Sequence, residues 1–236
     1  MSGMYPGHRL GYPLPVEEFG KFFGLSFSAL LPLVNPLGDA LVFVSLVGGA
    51  PVAVYRSLAR KIAISTTLFL ITIEVVGTAM LKFFGISLPV VQVAGGLTLA
   101  AMGWGLLNKE RAETKQEVAE MDDHAIGSLK QKVFYPFTFP ITAGPGCIVV
   151  MVTLSAHASV KGIVPDLSAH AGIVAAVVLL SVAVYFSYGY APAITSRISP
   201  GTAHGVLRVI AFVLLCIGVQ IMWNGTEVML KAVLRP

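Results

Sequence analysis

Apolar residues along this chain fall into six runs: Lys21 to Gly49, Ser57 to Leu81, Ile86 to Leu107, Val133 to Ala156, Leu167 to Ala193 and Gly205 to Ala232. A helix needs about 20 apolar residues to cross a bilayer, and each run is long enough. None carries the continuous polar face that a helix on a water-soluble domain shows. The pattern predicts an all-α membrane protein with six transmembrane helices. One long polar stretch interrupts it, Asn108 to Lys132, charge-mixed and read as a solvated linker. The chain then divides into an N-terminal tail (1–20), a first membrane repeat (21–107), the linker (108–132) and a second membrane repeat (133–236).

The two halves match where they are least regular. Shifted by 108 positions, "LPLVNPLGDALVFVSL" lies under "FPITAGPGCIVVMVTL", so that Pro32 meets Pro140, Gly38 meets Gly146 and Ser45 meets Thr153. The third runs echo each other at a shift of 116, where Gln92 meets Arg208, Leu99 meets Leu215 and Asn108 meets Asn224. Three crossings is an odd number, so the second half must enter the membrane from the opposite side. The expectation is two inverted three-helix repeats, a signature of secondary transporters.

Both matched stretches break a helix: "LVNPLGDA" in the first run and "ITAGPGC" in the fourth. Proline removes a backbone donor and clashes with the preceding turn. Freed backbone groups in hydrocarbon cost several kcal/mol each unless protein or a cavity satisfies them. Helices 1 and 4 are therefore expected to be discontinuous. One such break alone reads as a kink; two at matched positions read as a binding site. A half-helix restarting at Gly38 or Gly146 would point free N–H groups and a positive dipole end at a carboxylate. The preceding half-helix would offer carbonyls to an ammonium group or a cation. The candidate substrate-binding residues are Asn35, Pro36, Gly38, Asp39, Thr142, Ala143, Gly144 and Gly146. Candidates for coupling or gating are Asp39, the intramembrane acid Glu74, and the matched hydroxyls Ser45 and Thr153.

Composition sharpens this picture. The chain is 56% hydrophobic and only 12% charged, where a soluble domain carries about twice that charged share, and its mean hydropathy is +0.81. The net charge of +4 comes from residues flanking apolar runs, without the basic, aromatic-interleaved stripe of a nucleic-acid binder. Counting Lys and Arg by side gives six with the termini and even loops against ten with the odd loops. The positive-inside rule then puts both termini outside and the linker in the cytoplasm. Cys147 and Cys216 lie in apolar runs and read as small hydrophobes. The Gly/Pro-rich tail lacks the layout of a signal peptide.

His157 and His170 bracket the fourth loop with Asp166 near. They fall short of the three or four ligands a metal site needs and are read as solvated loop histidines. Gln92, Gln220 and Asn224 are read as interhelical hydrogen-bonders, with cavity lining second. "YFSYGY" (185–190), Trp104 and Trp223 are read as interface anchors. Hydrolase and metalloprotease motifs are missing from the sequence, so no enzymatic activity is expected.

The segments Asn35-Pro36-Leu37-Gly38 through Ser45-Leu46, and Pro140-Ile141-Thr142-Ala143-Gly144-Pro145-Gly146, resemble the paired signatures of the MarC family of bacterial and archaeal integral membrane proteins. The size, six-crossing layout and "MWNG" (222–225) are similar too, from about residue 20 onward. The resemblance implies a secondary transporter, working by alternating access, of small neutral amino acids such as glycine and alanine across the inner membrane. A channel or carrier for another small polar solute is the alternative. The implied partners are such an amino acid and the lipid bilayer, with no nucleic acid, and a homo-oligomer stays open. No cofactor is expected beyond H+ or Na+ as a coupling ion. The chain departs from the family at Asp39, where an uncharged residue is common.

Overall fold

The computed structural model describes residues 14–108, 132–158, 163–197 and 200–234, and every regular element in them is helical. The tail up to residue 13, most of the linker, and Lys161 and Arg235 from the charge count lie outside the described residues. α1 runs Pro15–Val34 and α2 Pro36–Val47. α1 begins before the apolar run because Pro15 presets a helical φ and Glu17 and Glu18 complement the dipole of its first turn. α3 spans Val52–Phe83 and α4 Leu88–Asn108. Gly85, at φ +66, makes the left-handed turn between them. The second half opens with a wide coil, Val133–Thr142, followed by α5 (Pro145–Ala158), α6 (Ile163–Gly189), the short α7 (Ala191–Thr195) and α8 (Pro200–Leu234).

Among the described residues, five helical stretches are long and apolar enough to cross a membrane: Pro15–Val47, Val52–Phe83, Leu88–Asn108, Ile163–Gly189 and Gly205–Leu234. A sixth follows if the coil and α5, which meet at 70°, count as one crossing. The chain is thus an all-helical, multi-pass membrane protein. Its surface agrees: Phe83, Val209 and Trp223 are exposed at 84%, 65% and 57%. Large apolar side chains so placed suit lipid and not water.

The hydrophobic effect gives helices little reason to associate within lipid, so close backbone approach matters more. α4 and α8 pack over most of their length through four glycines. A Cβ on Gly103 would stand 2.6 Å from the Leu215 nitrogen, and one on Gly225 2.5 Å from the Pro89 carbonyl. Gly96 and Gly218 abut each other's helix in the same way. As α4 advances from Pro89 to Gly103 its partner retreats from Gly225 to Ala211, so the two helices run antiparallel.

α1 buries Glu18, Phe22, Ser26, Leu30 and Val34, one residue per turn along one face. α1 lies on α6, where Gly172 admits the Phe19 carbonyl. α3 packs on α6, α5 and the coil. At the centre Phe43 stacks on Tyr188, with centroids 4.6 Å apart, and meets Phe137 and Tyr55 edge-on.

Candidate functional site

The first break turns on one residue. Asn35 sits in the left-handed region, φ 40 and ψ 59, which asparagine tolerates better than most side chains. Its N–H closes α1 onto the Leu31 carbonyl at 2.9 Å, and its own carbonyl accepts the Asp39 N–H at 3.0 Å. Its Oδ1 accepts the Gly38 N–H at 3.1 Å, capping α2. Pro36, the first residue of α2, has no N–H to satisfy. α2 therefore restarts at Pro36 rather than Gly38, and its first donors are largely spent on Asn35. Gly38 serves that cap: a Cβ there would lie 2.7 Å from Asn35 Cγ.

The second break is wider. Pro136 and Pro140 supply no N–H, and the coil winds with hydrogen bonds five residues apart. Phe137 donates to the Lys132 carbonyl at 3.3 Å and Ala143 to that of Thr138 at 2.8 Å. The hydroxyls of Thr138 and Thr142 repeat the spacing, to Val133 and Phe137. Ala143 is non-helical, with φ −129 and ψ 81. α5 then starts at Pro145, and the Cys147 N–H folds back to the Gly144 carbonyl at 2.9 Å. Gly144 and Gly146 are buried; the Gly144 N–H points at the Cys147 sulfur, and among the described residues the Gly146 N–H takes no partner.

Tertiary packing brings the two breaks together. A Cβ on Gly146 would overlap Leu99 on α4 and stand 3.4 Å from Leu33 at the end of α1. Asp39 lies within electrostatic range of Cys147 on α5 and Tyr188 on α6. Its Oδ2 is buried without a hydrogen-bond partner among the described residues. Thr142 and Tyr188 share a hydrogen bond of 2.8 Å between hydroxyls. The arrangement sets a buried acceptor with no donor, Asp39 Oδ2, near a buried donor with no acceptor, the Gly146 N–H. Buried polar groups are normally paired, and these two are exceptions.

Other residues fall differently from the sequence reading. Tyr188 is fully buried against Thr142 and is not an interface anchor. Tyr190 is exposed, with the Arg56 guanidinium 5.0 Å above its ring. His170 is not a solvated loop histidine: it lies on α6 and its Nδ1 hydrogen-bonds Glu74 Oε1. These two missed residues had weak local signals, for their partners stand 46 and 96 positions away. Glu74 is buried on α3, away from the breaks. Ser45 is exposed and bonds the Val42 carbonyl, whereas Thr153 Oγ1 is buried without a partner among the described residues. Gln92 is buried. Gln220 and Asn224 bond each other along exposed α8 at 2.8 Å, not a neighbouring helix. An open groove of about 520 Å³ between α3 and the coil, lined by Lys61, Phe69 and Phe134 among others, includes none of the break residues.

Comparison with known proteins agrees with the motifs. The chain is 28% identical over 218 residues to "UPF0056 inner membrane protein MarC" of Salmonella typhimurium, covering 89% of this chain and 96% of that protein. Proteins of the same name from Citrobacter koseri and Escherichia coli are 29% and 26% identical over 219 and 216 residues, with the same coverage. No solved structure matches. The family model described as "MarC family integral membrane protein" matches residues 20–230, a span that contains both breaks and all of α3, α4, α5 and α6. With that span covered, the chain belongs to the MarC family of integral membrane proteins.

Proposed function

We propose that this chain is a secondary transporter that carries small neutral amino acids, such as glycine and alanine, across the inner membrane by alternating access. The observation that carries the reading is the meeting of the two breaks around unpaired groups of opposite kind. The free N–H of Gly146 stands at the positive end of the α5 dipole and suits a carboxylate, with the Gly144 N–H, now turned to the Cys147 sulfur, beside it. The Asp39 carboxylate, close by, suits an ammonium. Leu99 and Leu33 press on Gly146, which favours a substrate with a small side chain.

The same packing supports two inverted repeats with discontinuous first and fourth crossings. Helices pack chiefly across the halves: α4 on α8, α3 on α6, α1 on α6 and its counterpart α5 on α3. Each of these pairings maps onto another, or onto itself, when the halves are exchanged. α4 and α8, the third crossings, run antiparallel as inversion requires. Asp39 and Cys147, equivalent at the 108-residue shift, lie near one another, as residues beside a pseudo-two-fold axis do. Positive-inside places both termini outside. The carrier is coupled to H+ or Na+, with Asp39 and Glu74 as the candidate acids.

Uptake of radiolabelled glycine into proteoliposomes tests the reading. Saturable uptake competed by alanine and driven by a proton or sodium gradient is the expected result. Folded protein that takes up no glycine under any gradient overturns the substrate assignment, and solute flux with ionic conductance far above carrier turnover replaces the carrier with a channel.

A further inference from the structure

We infer that Asp166, His170 and Glu74 form a proton relay that loads one coupling proton onto Glu74; the inference rests on the transport reading above and narrows its coupling ion to H+. Glu74 is 5% exposed within an apolar crossing. A lone carboxylate there is expensive, and its Oε1 is held by His170 Nδ1. His170 is 28% exposed, and its other nitrogen, Nε2, lies 3.9 Å from Asp166 Oδ2. Asp166 is 40% exposed and precedes His170 by one turn on the same face of α6. Exposure thus rises along the chain of groups, from the interior to the surface. Imidazole carries protons between its two distinct nitrogens, whereas hard metal cations favour sets of oxygen ligands, which this pair does not supply.

The step balances without any other reactant. It starts from ionised Glu74 accepting the Nδ1–H of neutral His170. A proton arriving on the Asp166 side binds Nε2, and the imidazolium passes its Nδ1 proton to Glu74 Oε1. Glu74 is then a neutral carboxylic acid, and His170 is neutral again in the Nε2–H tautomer, donating toward Asp166. Among the described residues, the other charged groups around the pair are few. α1 brings buried Glu18, paired with Lys21 at 3.6 Å. α5 brings His157, held on the Thr153 carbonyl at 2.7 Å. α3 adds exposed Lys82. Arg56, Arg60 and Lys61 occupy the other end of α3, and Asp39 of α2 lies beside Tyr188 at the other end of α6.

The relay adjoins the element that carries the second break. Ser155 Oγ on α5 donates to the Glu74 backbone carbonyl at 2.7 Å, and Val152 fills the space over Gly77. Ser155 is nine residues from Gly146, roughly 13 Å along α5. Neutralising Glu74 therefore changes the charge at the α3–α5 seam, one helix length from the proposed substrate.

Two measurements on the full chain in liposomes test the relay. In pH-jump infrared spectroscopy the wild type should show a carboxylic-acid C=O band that E74Q lacks, and whose rise in H170Q is slower by at least about tenfold. This arm needs no substrate. In the transport arm, with the membrane potential clamped at zero, a one-unit pH gradient supports about tenfold glycine accumulation at one proton per solute. E74Q and H170Q should lose that accumulation while retaining glycine–glycine exchange, which shows that they are folded. An E74Q protein that keeps the band, or an H170Q protein that loads and accumulates like wild type, overturns the relay and leaves the transporter standing. A wild type that neither accumulates nor exchanges glycine overturns the transport reading, and the infrared arm then decides the relay alone.

Discussion

Gly146 is the position where the smallest change should have the largest consequence. Its missing side chain is occupied by Leu99 and Leu33, so Gly146→Val either pushes those leucines aside or closes the space where the α5 N–H groups would meet a carboxylate. Glycine uptake should fall to background while the protein still elutes as a folded species from size-exclusion chromatography; normal uptake would remove Gly146 from the site. Asp39→Asn keeps the shape and removes the charge. A hydrogen bond to a charged group contributes about 1.5–3 kcal/mol, so the KM for glycine should rise about tenfold or more, with kcat changed less. Asn35 has a structural task that can be separated from binding. Asn35→Ala loses the cap on Gly38 and should lower stability by about 1 kcal/mol in a thermal unfolding assay, whereas Asn35→Gly, suited to φ 40, should cost only a few tenths. The interruption was legible locally from Pro36 and Gly38, whereas the restart at Pro36 and the cap on Gly38 came only from the fold. Tyr188 and His170 were not legible, since what they do depends on Thr142 and Glu74, which only the fold brings alongside.

Among the elements, the six apolar runs anticipated the helices to within a few residues at most ends. Length and hydropathy determine a crossing almost alone, since lipid leaves the backbone no other partner than itself. What distinguishes the two breaks was hidden. α1 and α2 continue as one 33-residue stretch across Asn35, whereas the coil and α5 turn through 70°. Pro136 and Pro140 explain why no regular α-helix forms before α5. The partners that the α4 glycines meet on α8 come only from the fold. Gly96→Leu or Gly218→Leu drives a side chain into the opposing backbone. Such overpacking typically costs 1–3 kcal/mol, more here because backbone cannot rotate away. Both variants should unfold at lower temperature than the wild type, while Gly105→Leu, open around its Cα, should not.

For the whole molecule, the central expectation is that the halves embrace each other and move against each other. A cross-link between them tests both parts. A Cβ on Gly77 would stand 3.6 Å from Val152 Cβ, inside the range a disulfide requires. The pair Gly77→Cys and Val152→Cys should oxidise readily and hold the two halves together on a gel after cleavage at a protease site placed within 108–132. Transport should stop on oxidation and return on reduction; transport that continues through a complete cross-link would rule out motion along the α3–α5 seam.

The sequence by itself determined that the chain lives in a bilayer, where its apolar helices run and where proline and glycine interrupt them, because hydrophobic length and the missing N–H of proline act within a few residues. Only the tertiary structure decided that the breaks meet, that Asp39 lies within electrostatic range of Cys147 on α5, and that Glu74 is joined by His170. Those are distances between groups far apart along the chain, and they follow from how close glycine lets one helix backbone come to another.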